Sequence, residues 1–487
     1  MSVVVASLIV APTAPSTVAP LPNTGRAPML TIGPATVGPA IPAGFAGVSI
    51  PLASLESYAG TDPEVANTVL VQLLRNLTPG QRPVLRLGGD SADRTWWPVP
   101  GMHRPASVRY TLTNRWLRVA RTLAMTSNAR LILGINLMAD KARLARAEAV
   151  AMIRGIGRPR IAAIELGNEP ELYARFSGPR AARRGRAAPS VLRSFNANFA
   201  RVADALPAIA LAGPGIGSDR WLDDLPNFLR HEPRVRVVTL HRYPLKRCSP
   251  NAGVTPTQLL SRESTNGLAH SVAAPVASAR SRGLVLRIDE LNTVACGGAH
   301  GVSDTFASAL WLLDTLPALA RLGVAGVNVQ TRPNSFNELF SLGRVGATWE
   351  ASVRPEYYGL LLFSEAAPAG SRMLKIAGIG GRELNVWATR DTHGNVRVVL
   401  VNNDPARAAV ATIRVPTASG SAILTRLQAP ALSATDDVTI GGQSFGPLTS
   451  TGLLAPGQSL IAPSPSPGTF RASVPPASAA LLELSMR

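Results

Sequence analysis

Eight short apolar runs, separated by longer amphipathic stretches, constrain this fold more than any other feature of the sequence. The runs cover residues 46–50, 84–89, 131–136, 161–167, 208–213, 235–241, 284–290 and 326–330. Nearly continuous apolar runs of this length are typical of parallel strands that are buried on both faces. Eight units of a strand followed by a helix predict an α/β fold, a (β/α)8 TIM barrel over residues 44–370. A doubly wound open sheet is the alternative.

The pattern changes after residue 370. Short runs with alternating polarity follow, and DTHGN lies between two of them, LNVWATR and VRVVLVNND. A turn sequence between two alternating runs indicates a hairpin. We therefore predict a C-terminal antiparallel β-sandwich domain over residues 371–487. The strand-like segment 29–43 precedes the barrel and is a candidate to join that domain.

The first 28 residues contain a short apolar run followed by a segment rich in Pro, Ala and Thr. This order resembles an export signal without its basic start, and a disordered tail is the alternative. We favour a secreted or extracytoplasmic protein. The sequence contains no apolar stretch of about 18 residues, so no membrane span is predicted.

The two cysteines, Cys248 and Cys296, do not form a C-x-x-C pair. They follow the sixth and seventh predicted strands, so their loops are expected to be neighbours at one face of the barrel. A disulfide is predicted if the compartment is oxidising, and two free thiols are the alternative. Two thiols alone make a poor metal site.

The chain is strongly basic, with 49 Lys and Arg against 30 Asp and Glu and a net charge of +19. This excess favours acidic partners such as a uronic-acid polysaccharide, although a merely Arg-rich composition is an equal alternative. No zinc-finger spacing or RNA-binding signature accompanies the charge, so nucleic acid is not expected. The most basic segment, residues 175–187, carries five Arg and no acid, and is predicted to be a long loop.

Two carboxylates end opposite strands of the predicted barrel. Glu169 follows the fourth strand, in IELGNEPELY, and Glu290 ends the seventh, in LRIDELNT. Catalytic groups of TIM barrels lie at the C-terminal ends of the strands. Glycoside hydrolysis requires two carboxylates on either side of the bond, one as the acid and one as the nucleophile. Asp289 is adjacent to Glu290 and is expected to point the other way.

The segment Gly167-Asn168-Glu169-Pro170 resembles the Asn-Glu-Pro motif of clan A glycoside hydrolases, and Glu290 matches the position of their nucleophile. The resemblance implies a retaining mechanism with Glu169 as the acid/base and Glu290 as the nucleophile. It also implies that Asn168 hydrogen-bonds the sugar 2-hydroxyl. Tyr243, in LHRYP, is implied to hydrogen-bond the nucleophile.

Within the clan, the sequence is most similar to glycoside hydrolase family 79, the β-glucuronidase and heparanase-like enzymes. The similarity is carried by RLGGDSADRTWW at 86–97, by the barrel followed by a small β-domain, and by the C-terminal stretch 466–484. It departs from the family after the first strand, where Ser49-Ile50-Pro51 contains no acid. The strand-eight loop also cannot be matched residue by residue. The resemblance implies a β-glucuronidase-like enzyme, with the exact sugar undecided.

Three further residues are candidate sugar ligands because each follows a predicted barrel strand. Asp90 follows strand two after two glycines, and Asn136 ends strand three. Arg332 follows strand eight and could bind a carboxylate through two parallel hydrogen bonds. For all three, an ordinary structural or solvated role is the alternative.

Other classes of function fit the sequence less well. It contains no H-E-x-x-H, G-x-S-x-G or Walker motif, and no cofactor or metal is expected. A clan A enzyme acting on a neutral sugar, such as a xylosidase or glucosidase, remains an alternative. A non-catalytic carbohydrate-binding protein on the same fold is another. The sequence does not indicate the oligomeric state.

Overall fold

A computed structural model describes residues 28–173, 189–249, 253–378, 383–455, 457 and 460–486. The predicted Arg-rich loop, with Arg175, Arg180, Arg183, Arg184 and Arg186, lies outside the described residues. So does the signal-like segment up to residue 27. Among the described residues, no helix is both long enough and apolar enough to cross a membrane.

The centre of the molecule is a closed barrel of eight parallel strands, which confirms the predicted TIM barrel and excludes the open sheet. The strands follow one another around the barrel in chain order, and the eighth pairs with the first. They are Ala46–Pro51, Val84–Gly88, Arg130–Ile135, Ile161–Leu166, Leu211–Ile216, Val235–Arg242, Val285–Leu291 and Val327–Gln330.

Helices surround the barrel because their apolar stripes pack on the outer faces of the strands. The α-helices are Leu55–Ala59, Thr68–Asn76, Asn114–Ser127, Ala142–Ile156, Pro189–Ala205, Leu225–His231, Pro256–Leu259, Leu268–Ser271, Ala273–Arg280, Phe306–Leu322 and Pro355–Ala366. Short 3-10 helices cover Leu52–Ser54, Ala92–Arg94, Arg158–Arg160, Pro170–Leu172 and Asp219–Asp224, and a π-helix covers Glu263–Gly267.

Short strands decorate the ends of the barrel. They form the pairs Thr95–Trp96 with Tyr110–Thr111, Leu245–Lys246 with Val294–Ala295, and Phe340–Val345 with Thr348–Val353. The second pair joins the loops after barrel strands six and seven, and the same two loops are linked by the disulfide Cys248–Cys296. Its Cα atoms are 5.3 Å apart, within the usual range for a disulfide.

The C-terminal domain is a ten-stranded sheet, antiparallel except for one pair. Its strands are Met29–Ala40, Arg372–Ala377, Leu384–Arg390, Val396–Asn402, Ala409–Arg414, Ala418–Gln428, Thr439–Ile440, Leu460–Ala462, Thr469–Val474 and Ser478–Met486. Met29–Ala40 enters the sheet from the N-terminal side of the barrel and pairs with Arg372–Ala377 and Ala409–Arg414. The edge strand Thr469–Val474 packs back against Val396–Asn402, so the sheet encloses its own apolar core.

The strand Val396–Asn402 shows why the C-terminal runs are so apolar. Val398 and Leu400 belong to the core inside the folded sheet, whereas Val399 and Val401 belong to the large core of the barrel. Since successive side chains of a strand point to opposite faces, both faces of this strand are buried. The sheet therefore packs directly against the helices Phe306–Leu322 and Pro355–Ala366.

Those two helices approach each other closely at a glycine. A Cβ atom added to Gly359 would lie 2.4 Å from the backbone oxygen of Ala309. We expect Gly359→Ala to force the helices apart and to lower the free energy of unfolding by about 1–3 kcal/mol, as overpacking does. Urea denaturation measures this. Gly343→Ala is the matched control, because a Cβ there meets nothing within 4 Å. Equal midpoints for the two variants would contradict the expectation.

Candidate active site

Glu169 and Glu290 face each other across the C-terminal end of the barrel. A carboxylate oxygen of each, together with a ring nitrogen of His241, lie within 4.8 Å of one another. Glu290 is 9% exposed at the end of the seventh strand. Glu169 follows the fourth strand and its side chain is more open to solvent. The two carboxylates are therefore close enough for both to touch one small group between them.

Glu169 is held in an uncommon backbone conformation. Its φ is 44° and its ψ is 59°, in the left-handed region that non-glycine residues rarely occupy. Its N–H donates to the backbone oxygen of Gly215 at 2.8 Å, and its Oε1 lies 3.1 Å from Nδ1 of His241. Strain of this kind persists only where the surroundings impose it, and it concentrates at functional sites.

The loop after the fifth strand fits closely around Glu169. Glu171 is mostly buried, and its Oε1 accepts from the N–H groups of Gly217 at 2.6 Å and Ser218 at 2.7 Å. A Cβ atom at Gly217 would lie only 2.8 Å from Oε1 of Glu169. The Glu171 carboxylate thus anchors the loop, and the loop has a glycine where it contacts the Glu169 carboxylate.

Glu290 is bonded through both carboxylate oxygens. The Tyr243 hydroxyl donates to Oε1 at 2.8 Å, and Nη1 of Arg86 donates to Oε2 at 2.8 Å. Burial alone would raise the pKa of Glu290, but His241, Arg86 and the Tyr243 hydroxyl together lower it below the usual value. Glu290 is therefore ionised at neutral pH and fixed in one orientation.

Arg86, on the second strand, is the central residue that the sequence reasoning missed. It is completely buried. Its guanidinium contacts oxygens of Glu165 at 2.7 Å, Asp289 at 3.2 Å, Glu290 at 2.8 Å, Asn168 at 2.8 Å and Ser49 at 3.2 Å. Burial alone would lower the pKa of Arg86, but the three carboxylates raise it well above its usual value. The only sequence signal was a charged residue inside an apolar strand.

The expectation that Asp289 points away from Glu290 is wrong, since both carboxylates contact the same guanidinium. The pairing of the sixth and seventh strands shifts register between Ile288 and Glu290, and such a bulge breaks the alternation of side chains. Burial raises the pKa of Asp289 and the neighbouring Glu165 raises it further. In contrast, Arg86 overcomes the effect of burial at Glu165 and lowers the pKa of that carboxyl to about 2.

His241, on the sixth strand, links the two catalytic candidates. Burial alone would lower its pKa, but the Glu290 carboxylate and the hydrogen bond to Glu169 raise it to about 9. The Arg86 guanidinium, 3.2 Å from Nε2, opposes this only in part. His241 is therefore a fixed positive charge beside Glu169 at neutral pH.

Asn168 and Asp90 form one wall of the site. Asn168 accepts from Arg86 through Oδ1 and donates from Nδ2 to Oδ1 of Asp90 at 3.1 Å. Its backbone N–H donates to the buried Asp93 at 2.8 Å. Asp90 is exposed at the mouth of the site, and its pKa is raised because the walls remove part of its hydration and because Glu290 and Glu169 lie nearby.

Asn136 and Arg332, the other two predicted ligands, have different surroundings. Asn136 is 1% exposed, its Nδ2 donates to the backbone of Thr95, and its Oδ1 accepts from the N–H of Ala139. Its side chain is therefore committed to the loop, which corrects the expectation of a sugar ligand. Arg332 is exposed after the eighth strand, with its guanidinium against the backbone of Gly297.

The acidic groups also have the spacing of a metal site. Donor atoms of Glu165, His241 and Asp289 lie within 4.8 Å of one another, as do those of Glu169, His241 and Glu290. However, Arg86 already contacts three of these carboxylates. The protein thus supplies its own cation where a metal ion would otherwise neutralise the acids.

The charge on His241 makes a testable contribution to stability. Its pKa is 6.5 as a free side chain and about 9 in the folded protein. The stabilisation is therefore complete below pH about 6.5 and is lost as the pH rises through about 9. We expect the difference in unfolding free energy between wild type and His241→Gln to be larger at pH about 6 than at pH about 10. Denaturant titrations at both pH values measure it, and a difference that grows with pH would refute the assignment.

Comparison with known proteins identifies the C-terminal domain. Residues 386–481 match the model of the glycosyl hydrolase family 79 C-terminal beta domain. The matched residues include most strands of the ten-stranded sheet, from Leu384–Arg390 to Ser478–Met486. No curated protein matches the chain.

Solved structures share the whole architecture at low sequence identity. The 4-O-α-L-rhamnosyl-β-D-glucuronidase of Fusarium oxysporum 12S superposes with a TM-score of 0.69 at 20% identity, over 93% of this chain and 99% of that chain. The family GH51 arabinofuranosidase of Xanthomonas axonopodis pv. citri gives a TM-score of 0.66 at 15% identity, over 94% and 100%. CelM2, a bifunctional glucanase-xylanase from a metagenome library, gives 0.60 at 13%, over 95% and 100%.

These enzymes share the fold of this chain, a barrel followed by a β-domain, and at this identity the likeness describes the fold alone. The family match adds information about function, because the matched domain is the C-terminal beta domain of glycosyl hydrolase family 79. With that domain behind a barrel of the same architecture, the chain is a glycoside hydrolase related to family 79.

Proposed function

We propose that this protein is a retaining β-glycoside hydrolase in which Glu290 is the nucleophile and Glu169 is the acid/base. The observation that carries the proposal is the spacing of the two carboxylates, whose oxygens lie within 4.8 Å. Retaining enzymes hold their carboxyl groups about 5–5.5 Å apart, whereas inverting enzymes leave about 6.5–9.5 Å for a water molecule.

The two carboxylates have the environments that their roles require. Glu290 is ionised and oriented by Tyr243 and Arg86, so one oxygen can attack the anomeric carbon as the bond to the leaving oxygen breaks. Glu169 gives its proton to that oxygen and later takes a proton from the water that hydrolyses the glycosyl-enzyme ester. His241, bonded to Glu169, stabilises the carboxylate that remains after the proton has been given.

For the substrate, we propose a β-glucuronidase-like specificity for uronic-acid glycosides or polysaccharides. A glucuronidase is among the structures with the same fold, and the matching C-terminal domain is that of family 79. The net charge of +19 is suited to an acidic substrate. Asn168, Asp90 and Arg332 are proposed to contact the sugar, since Asn168 adjoins Glu169 and the other two are exposed at the catalytic face.

A neutral sugar is the second candidate. The arabinofuranosidase and glucanase-xylanase structures share the fold with TM-scores of 0.66 and 0.60, and no buried cation other than Arg86 and His241 contacts the two glutamates among the described residues. A comparison of aryl β-glucuronide with glucoside, xyloside and galactoside decides between the two. Absence of turnover on all four would favour a non-catalytic carbohydrate-binding protein.

The disulfide supports an extracytoplasmic location as part of the proposal. Cys248 and Cys296 are bonded and exposed at the surface of the barrel. Disulfides form and persist mainly in oxidising compartments. Thiol titration of non-reduced protein recovered from the culture medium tests this, and two reactive thiols would contradict it.

The roles of the two glutamates predict different mutant kinetics. Glu290→Ala should abolish turnover of every substrate. Glu169→Ala should lose about 100- to 10,000-fold on poor leaving groups but much less on activated aryl glycosides, which need little protonation. Azide should then accelerate Glu169→Ala alone by replacing the water that requires a base. Leaving-group plots for both variants measure this, and identical slopes would show that Glu169 is not the acid.

Gly217 provides a subtler test of the same role. In Gly217→Ala the new methyl group must displace the Glu169 carboxylate, which lies 2.8 Å from its position. We expect kcat/KM to fall more for glycosides with poor leaving groups than for activated ones, because only the former depend on the acid. Gly343→Ala, which adds a methyl group in open space, is the control. A uniform loss across leaving groups would mean that Gly217 affects binding or folding instead.

A further inference from the structure

A buried carboxylate that the hydrolytic mechanism does not use lies next to the acid/base loop, which we define as residues 167–173, after the fourth barrel strand. Asp93 belongs to the short helix Ala92–Arg94, which follows the second barrel strand, and it is 3% exposed. It has no ion pair within the part of the chain that the structure describes. Because a buried charge is costly without partners, the hydrogen bonds of Asp93 must compensate for its burial.

Asp93 accepts four hydrogen bonds, two through each carboxylate oxygen. Its Oδ1 accepts from the backbone N–H groups of Leu137 at 2.8 Å and Met138 at 3.0 Å. Its Oδ2 accepts from the backbone N–H of Asn168 and from the Tyr173 hydroxyl, both at 2.8 Å. The four donors belong to the loops that follow the third and fourth barrel strands. One carboxylate therefore holds together the loops after strands two, three and four.

The nature of the four donors favours the ionised form of Asp93. Three of them are backbone N–H groups, which can donate and cannot accept. A carboxylate accepts at both oxygens, whereas a neutral carboxyl group has a hydrogen on one of them. Burial raises the pKa of Asp93 to about 6, and the four hydrogen bonds oppose this rise. The donors thus replace the cation that a buried carboxylate otherwise requires.

The backbone that Asp93 holds is strained on both sides of the bond. Gly167 has a φ of 82°, and a Cβ atom there would lie 2.5 Å from the Tyr173 hydroxyl oxygen. Glu169, two residues later, has a φ of 44°. The N–H group between them is that of Asn168, which Asp93 accepts. Such a conformation persists only where its surroundings impose it, and the bond to Asp93 is part of those surroundings.

We propose that Asp93 is a positioning residue for the acid/base. Its carboxylate fixes the backbone N–H of Asn168 and thereby keeps the Glu169 carboxyl group directed at the glycosidic oxygen. Asp93 is buried beside the loop and acts only through the backbone of that loop. This inference rests on the proposed function, since it identifies what holds the proposed acid in place. It implies that a change at Asp93 impairs proton donation more than it impairs sugar binding.

Replacement of Asp93 by asparagine removes acceptors with little change of shape. The amide has one oxygen that accepts and an NH2 group that donates. The Tyr173 hydroxyl can reverse its bond and accept from the NH2 group, whereas the backbone N–H groups cannot. We therefore expect the amide to keep its oxygen on Leu137 and Met138 and to turn its NH2 group towards Tyr173. The N–H of Asn168 then loses its acceptor.

Glu148→Gln is the matched control for Asp93→Asn, because both variants replace a buried carboxylate by an amide of the same shape. Glu148 is 0% exposed, and its Oε2 accepts from the backbone N–H of Asn136, also after the third strand. Its Oε1 has no hydrogen-bond partner among the described residues. Glu148 therefore supports the same neighbouring loop without a bond to the acid/base loop.

The kinetic test measures kcat/KM of the full chain on aryl glycosides of different leaving groups. In Asp93→Asn, kcat/KM should fall about 100-fold for poor leaving groups, as for a catalytic group displaced by about 1 Å. Activated glycosides, which need little protonation, should lose much less. Glu148→Gln should change kcat/KM equally for both kinds of substrate. Tyr173→Phe, which removes only the hydroxyl donor, should show a smaller loss with the same dependence on leaving group, and it carries the test if Asp93→Asn does not fold.

Crystal structures of the variants give a second readout that does not depend on turnover. In Asp93→Asn, Oε1 of Glu169 should leave its position 3.1 Å from Nδ1 of His241, whereas in Glu148→Gln it should stay. An unmoved Glu169 in Asp93→Asn would overturn the inference, and so would a loss of kcat/KM that is uniform across leaving groups. If Glu169→Ala itself shows no dependence on leaving group, the proposed function fails instead, and the crystal structures alone decide whether Asp93 positions Glu169.

Discussion

The buried guanidinium of Arg86 is the interaction on which the catalytic end of the barrel depends. A buried charge is costly unless hydrogen-bonded partners compensate for it. Arg86 has such partners on the first, fourth and seventh strands, in Ser49, Glu165 and Glu290. Each carboxylate in turn is stabilised as an ion by the same cation. Removing the guanidinium or one of the carboxylates would leave an uncompensated charge inside a closed barrel. The hydrogen bonds of Arg86 therefore hold these strands together.

The direction of the pKa shift at Asp289 follows from this arrangement, because burial raises its pKa and the neighbouring Glu165 raises it further. Three carboxylates surround one guanidinium, and His241 provides the second positive charge. The same two cations act on Glu165 and Glu290 in the opposite direction and lower the pKa of both carboxyls. Glu290 is the carboxylate of the two that opens toward the cleft.

The sequence predicted the barrel well because its signal is local and repeated. Each buried strand leaves its own apolar run, and the strand ends then locate Glu169 and Glu290 without any knowledge of packing. Arg86 and Asp289 show where such reasoning ends. For Arg86, a charge within an apolar run does not indicate which residues it contacts or whether it is buried. For Asp289, the bulge that turns the side chain inward depends on how the strand pairs with the sixth strand. The prediction that Asn136 binds a sugar has the same weakness, because its hydrogen bonds to the backbone of Thr95 and Ala139 form only in the folded protein.

The C-terminal sheet also supports the site, and it does so indirectly, through a helix that lies between the sheet and the catalytic loops. The sheet packs on the helix Pro355–Ala366, where Phe363 lies 5.8 Å from Trp387 between ring centroids. The same helix carries the buried Glu356, which accepts from Nδ2 of Asn292 at 3.1 Å. Asn292 is two residues beyond Glu290 and also donates to the backbone oxygens of Gln330 and Asn337. Burial raises the pKa of Glu356 well above its usual range, and the hydrogen bond from Asn292 opposes this shift. A continuous packed path therefore leads from the sheet through one helix to the loop behind Glu290, which gives a physical reason for the β-domain to accompany this barrel.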